Sequence, residues 1–209
     1  NVAFLAINGL VGLSLAPHAW MATLPIMGYV VGGALSTWPV ARVQYRWGRK
    51  ISFQTGLATA VFSTLLCAWA VWHANYWLLV LSTVMAGYYS ANGQLYRFAA
   101  AELAAVNYRE KAVSLVLAGG LGGAVLGPNL ATWTQHVIEV QFVGAYIALA
   151  AAALVGMVVI AFIDFPPLPV RKAGDSTGRP LAEIMRQPVF IVSVCAAALG
   201  FGVMSLLMS

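Results

Sequence analysis

The chain is 209 residues long, 61% hydrophobic and 8% charged, with a mean hydropathy of +0.84. A soluble domain carries about a quarter charged residues, so this composition excludes one and identifies an all-α integral membrane protein. The net charge of +5 does not indicate nucleic acid, because in a multi-pass membrane protein a basic excess belongs to loops beside anionic lipid. Cys67 and Cys195 both fall inside apolar runs, which gives neither a disulfide framework nor a metal site.

A helix needs about 20 mostly apolar residues to cross a bilayer. Such runs predict a first helix at 1–16, truncated at its start, then helices at 20–42, 51–72, 76–98, 112–134 and 140–163, with a seventh from 189. The runs are too long and too evenly apolar for the alternating strands of a barrel. Asn1 opens inside an apolar run and Ser209 closes inside another. The expectation is therefore a piece of a longer chain, without the basic start and cleavage site of a signal peptide.

Sorting the eleven Lys and Arg residues by the helix ends that they flank fixes the expected orientation. Arg42, Arg46, Arg49 and Lys50 follow the second helix. Arg97, Arg109 and Lys111 surround the connection from fourth to fifth, and Arg171, Lys172, Arg179 and Arg186 follow the sixth. The opposite connections hold His18, His73, His136 and Glu139 but neither Lys nor Arg. By the positive-inside rule the basic loops are cytoplasmic. Trp20, Trp69, Trp72, Trp77 and Trp133 cluster at the other ends as an aromatic belt would.

Residues 164–188 form the longest connection, rich in Pro and Gly with both charge signs. They read as a cytoplasmic linker between a bundle at 1–163 and the start of a second bundle at 189–209. Within the linker, Leu181, Ile184 and Met185 have helical spacing between Pro180 and Pro188, which predicts a short amphipathic surface helix.

Three segments carry a resemblance. In "ARVQYRWGRK", Arg46, Gly48, Arg49 and Lys50 match the loop after the second helix of the major facilitator superfamily (MFS), although Ala41 and Tyr45 replace its first Gly and its Asp. "AAELAAVNYREKA" is similar to the loop after the fourth helix, with Glu102 and the run Arg109, Glu110, Lys111 in place. "GGLGGAVLGP" resembles the fifth-helix pattern, with Gly119, Gly123 and Gly127 at four-residue intervals and then Pro128. Such a stripe lets another helix approach closely, and Pro128 allows a kink.

The resemblance implies a six-helix bundle built as an inverted 3+3 repeat, followed by the start of a second bundle. It also implies transport by alternating access. Arg46, Gly48, Arg49, Lys50, Glu102 and Arg109 would then belong to a cytoplasmic gate. The loss of the loop Asp to Tyr45 leaves the partner of Arg46 or Arg49 open. The superfamily's common fourth-helix Arg, which would fall near Thr83, is also missing, and Arg97 reads as an anchor at the cytoplasmic end.

In this fold the first and fourth helices line the cavity, so their polar interior residues are the expected solute ligands. These are Asn8 on the first, and Tyr88, Tyr89, Asn92 and Tyr96 on the fourth, where Tyr88, Asn92 and Tyr96 share an i, i+4, i+8 face. Interhelical hydrogen bonding is the competing role for each. No Asp, Glu, Lys or Arg lies near the middle of a complete span, so this segment offers no proton-coupling carboxylate. Coupling would then reside elsewhere in the protein, or transport would be facilitated.

The expected partners are the bilayer and an uncharged or planar organic solute. Members of this broad group handle vitamins such as riboflavin, and a Tyr-rich face suits a flat ring. No cofactor and no metal are expected, and the expected state is a monomer in the cytoplasmic (inner) membrane. An intramembrane protease would need a membrane-embedded His beside a serine nucleophile, or paired intramembrane Asp, and the sequence has neither arrangement. A receptor or scaffold of the same fold is the remaining alternative.

Overall fold

The computed structural model describes residues 2–134, 140–165, 183 and 185–208. The chain divides into two compact units, residues 1–168 and 169–209, and each is described by itself. Among the described residues every regular element is a helix.

The first unit begins with α1 (Val2–Leu15) and a single 3-10 turn at Ala19–Met21. Pro25 then sits in the first turn of α2 (Leu24–Trp47), where its missing N–H costs nothing. Gly48 ends α2 and starts α3 (Arg49–Trp72) in one step, at φ 88° and ψ 170°. That conformation is open essentially to glycine alone, which explains how two 24-residue helices join through a single residue. At the far end, the Asn75 side chain accepts the Leu78 N–H at 3.1 Å and caps α4 (Tyr76–Gly93).

The fourth predicted span is interrupted. Sequence hydropathy runs unbroken through 76–98, but α4 stops at Gly93, and α5 (Tyr96–Leu103) starts after a turn at residues 94–95. Asn92 turns its side-chain amide back onto the Tyr88 carbonyl at 3.1 Å, and Leu95 N–H reaches only three residues back, to Asn92 O at 2.9 Å. A side chain competing for backbone partners, with glycine next to it, ends the α ladder here. A 3-10 turn at Val106–Tyr108 leads into α6 (Arg109–Thr134), and α7 (Val143–Ala161) completes the unit.

Among the described residues, four helical stretches are long and apolar enough to cross a membrane: Ala19–Trp47, Arg49–Trp72, Arg109–Thr134 and Val143–Ala161. The most extensive packing joins α2 to α4, α3 to α7 and α3 to α4. The α2 to α4 crossing is the tightest, because a Cβ on Gly32 would lie 2.0 Å from Val84 O, and one on Gly87 would lie 2.2 Å from Gly33 N. Lipid tails are as apolar as the side chains, so such backbone approach is what holds helices together there. Tyr146, Phe53, Ile7, Leu79 and Val11 are fully buried at the centre. Outside this core, Leu115, Leu121, Val125 and Trp133 of α6 are exposed.

The connections sort to two ends. At one end Arg49 pairs with Glu102, and Lys50 lies 3.6 Å from Asp164, so the α2 to α3 turn, α5 and the end of α7 meet. At the other end, the Tyr76 hydroxyl donates to Met21 O at 2.6 Å. Trp20, Trp69, Trp72 and Trp77 are exposed, as a belt facing lipid headgroups requires, and Trp133, also exposed, borders the cavity described below.

The second unit contributes α8 (Pro188–Met208). Of the predicted linker helix, Leu181 and Ile184 lie outside the described residues, as do His136, Glu139, Arg171, Lys172 and Arg179, while Met185 is exposed.

Candidate functional site

Inside the first unit lies a cavity of about 780 Å³, walled by parts of all seven of its α-helices. Phe4 of α1, Tyr29 of α2, Tyr89 of α4, Tyr96 of α5 and Trp133 of α6 give it five aromatic walls, and alanine, glycine and leucine fill most of the rest. None of the described lining residues is charged. The size falls within the roughly 300–1,000 Å³ of small-molecule sites, and the lining is of the kind that such sites use.

The aromatic walls are fixed from behind. Phe4 and Tyr29 pack with ring centroids 5.1 Å apart, and Phe4 meets Tyr146 nearly edge-on at 6.3 Å. Tyr29 also shares a hydrogen bond with Ser90, which ties α2 to α4. Tyr96 rests edge to face on Phe53 at 4.7 Å. Its hydroxyl is buried and has no hydrogen-bond partner among the described residues. Ser63 and Thr64 also line the wall, and both donate their protons to the Ala60 carbonyl, at 3.1 and 2.7 Å.

The five expected ligands divide. Tyr89 and Tyr96 line this cavity. Asn8 does not: it is fully buried, donates to Phe4 O at 2.8 Å, and accepts the Tyr146 hydroxyl at 2.9 Å, so it ties α1 to α7. Asn92 is likewise fully buried and accepts the Ser52 hydroxyl at 2.7 Å, tying α4 to α3. Tyr88 lies on another face of α4, where with Ser36, Thr55 and Thr59 it lines a shallower depression of about 540 Å³.

The turn at 94–95 accounts for the place of Tyr96 alone, since Tyr88, Tyr89 and Asn92 all precede it on α4. An uninterrupted helix would keep Tyr88, Asn92 and Tyr96 on one face, but the break changes the register and sets Tyr96 beside Tyr89. Sequence reasoning missed Phe4, Tyr29 and Trp133. Nothing in the residues alone separates a cavity aromatic from a core or interfacial one.

Among the expected gate residues, Arg49 and Glu102 form an ion pair, and Gly48 supplies the turn beside it. Lys50 approaches Asp164, and Arg46 lies over the Trp47 ring at 5.7 Å. Arg109 begins α6 and is exposed. Of the glycine stripe, Gly127 faces α1, where a Cβ would lie 2.7 Å from that of Ala3. A Cβ on Gly119 or Gly123 would meet nothing within 4 Å among the described residues, and Gly123 borders the cavity. Pro128 lies within α6, and its carbonyl accepts the Thr132 hydroxyl at 2.9 Å. No group of three or more His, Cys, Asp or Glu able to hold a metal occurs among the described residues.

The family model described as Major Facilitator Superfamily matches residues 1–209. The riboflavin transporter RfnT of Brucella anthropi is 34% identical to this chain over 98% of its length, which corresponds to 52% of that relative. YdeG of Bacillus subtilis, described as an uncharacterized MFS-type transporter, is 28% identical over 71% of this chain and 35% of its own length. The chain therefore spans about half of the first relative and about a third of the second.

Proposed function

The chain belongs to the major facilitator superfamily, and from that premise we propose that it serves a secondary transporter that moves a small, uncharged organic solute by alternating access. Its bundle at 1–163 acts as one of the rocking halves, and residues 164–188 serve as the linker. The observation that carries the reading is the cavity of about 780 Å³ with aromatic walls and no charged lining among the described residues. Flat aromatic faces stack on a planar ring with little loss of conformational freedom, and a charge-free wall disfavours ions and charged metabolites.

The solute class is a planar heteroaromatic of the flavin type. The 34% identity to a protein named as a riboflavin transporter supports it, and so does the tyrosine pair Tyr89 and Tyr96. Tyr89 and Tyr96 contact the solute, whereas Asn8 and Asn92 hold the helices that carry the walls. The protein resides in the cytoplasmic membrane with its Lys- and Arg-bearing loops inside, as the charge distribution favours.

The test is uptake of labelled riboflavin by cells that express the full-length protein and lack other uptake routes, with sugars and amino acids as competitors. Riboflavin should accumulate, and Tyr89→Ala and Tyr96→Ala should each lower uptake roughly five- to tenfold, the loss of one stacking contact of about 1–1.5 kcal/mol. Uptake indifferent to both changes would move the site elsewhere. Absence of uptake for every solute tried would favour a receptor or scaffold.

A further inference from the structure

Three helices of the first unit frame the shallower depression of about 540 Å³. Leu35 and Ser36 of α2, Thr55 and Thr59 of α3, and Met85 and Tyr88 of α4 border it, and it shares no lining residue with the larger cavity. Leu35, with Phe62 of α3 and Leu81 of α4, is among the exposed apolar side chains around it, as on a face turned to lipid.

Four hydroxyls on such a face need explaining, because hydrocarbon offers a hydroxyl no acceptor. Two of them are satisfied within α3: Thr55 donates to Ser52 O at 2.9 Å, and Thr59 to Thr55 O at 2.8 Å. Tyr88 reaches the Thr55 hydroxyl at 3.4 Å, beyond the usual length of such a bond. Ser36 forms none among the described residues. Two protons are therefore left to give to something outside the three helices.

Two cations stand on the same side of α2, toward the basic end. Arg42 follows Leu35 by seven residues, two turns along and about 10 Å nearer that end. Its guanidinium lies over the Trp38 ring at 5.2 Å, and Arg46 is one further turn on. Arg49 and Lys50 are paired with carboxylates, but neither Arg42 nor Arg46 has an acidic partner among the described residues. From the basic end inward the face presents guanidinium groups, an indole, hydroxyl donors and an apolar floor. A phospholipid has the complementary order of phosphate, ester carbonyls and hydrocarbon chain.

We propose that this depression binds one anionic phospholipid of the leaflet at the basic end. Arg42 and Arg46 hold the phosphate, the Tyr88 and Ser36 hydroxyls donate to ester carbonyls, and one acyl chain lies over Leu35 and Met85. A zwitterionic lipid fits the hydroxyls and the floor, but its phosphate is already neutralised by its own headgroup, so the two guanidinium groups select for net negative charge. The inference needs only a bundle that crosses a membrane, and it holds whatever solute the larger cavity takes.

The experiment uses the full-length protein in lipid nanodiscs with a trace of phosphatidylglycerol that carries a diazirine midway along one acyl chain. A parallel sample carries the same chain on phosphatidylcholine. After irradiation, mass spectrometry locates the marked residues. Phosphatidylglycerol should mark the segments around Leu35 and Met85 roughly fivefold more than phosphatidylcholine does, about the attraction of one cation for an anionic lipid. Arg42→Gln with Arg46→Gln should remove that difference, and Arg42→Lys should keep most of it. Ser36→Ala with Tyr88→Phe should lower marking by both lipids about threefold. Marking at the exposed Leu154 of α7, which does not line the depression, should be the same for both lipids and all variants.

Equal marking by the two lipids at Leu35 and Met85, or a preference indifferent to Arg42→Gln with Arg46→Gln, overturns the proposal. So does an absence of marking at both residues, which would mean that another part of the protein covers the face. Loss of marking in excess inorganic phosphate, but not in chloride of equal ionic strength, would make this a site for free anions and overturn the lipid as its occupant.

Discussion

Asn8 shows how one residue type serves two readings that only neighbours can separate. An amide inside an apolar helix must find partners, and the sequence leaves open whether they belong to a solute or to the protein. Here both ends are taken, by Phe4 O and by the Tyr146 hydroxyl, and Tyr146 has no exposed surface. Asn8→Ala would leave that hydroxyl buried without its acceptor, and Tyr146→Phe would leave the buried Asn8 Oδ1 without its donor, so each should cost about 1–3 kcal/mol. Because the two share one bond, the double variant should be little worse than Asn8→Ala alone. Thermal unfolding of the purified protein measures all three. The half-saturating riboflavin concentration should stay unchanged in Tyr146→Phe, and a large rise in Asn8→Ala at full stability would return Asn8 to the solute site.

At the scale of elements, the α2 to α4 crossing depends on what is missing from Gly32 and Gly87. An added methyl at either would overlap backbone atoms, at 2.0 Å from Val84 O and 2.2 Å from Gly33 N, and neither obstacle is the end of a flexible side chain. Gly32→Ala and Gly87→Ala should therefore each destabilise by about 1–3 kcal/mol or more, as overpacking does. Gly9→Ala, whose methyl would meet only the Ile26 Cδ1 at an ordinary 3.4 Å, should unfold within a degree or two of the unaltered protein. Equal melting temperatures for all three would mean that the helices separate freely at this crossing.

Most of the elements were legible because span length and hydropathy follow from the bilayer. The turn at Gly48 was legible because a glycine between two long helices has few other uses. The turn at 94–95 was not, since hydropathy averages over it and no proline marks it. Reading through that turn grouped Tyr96 with Tyr88 and Asn92 on one face, so the cavity was only half legible: Tyr96 borders it with Tyr89, while Tyr88 borders the shallower depression.

For the whole molecule, the distribution of charge makes the firmest demand. Every Lys and Arg flanks one set of helix ends. The ion pairs Arg49–Glu102 and Lys50–Asp164 bring the α2 to α3 turn, α5 and the end of α7 together, so the first two basic segments share one end of the first unit. In the proposed orientation that end faces the cytoplasm, where the positive-inside bias and anionic lipid favour it by about 1 kcal/mol per nearby cation. Single cysteines test the orientation directly. Cys67 has no exposed surface and can remain, Cys195 is exposed and is replaced by Ser, and new cysteines are placed at His73 and Tyr108, both exposed. In intact cells a membrane-impermeant maleimide should label His73→Cys at once and Tyr108→Cys only after permeabilisation. The reverse pattern would place the basic surface outside, against its charge. Equal labelling of both in intact cells would put His73 and Tyr108 on one side of the membrane, which α3 and α4 with α5 could satisfy only if the interrupted fourth span failed to cross.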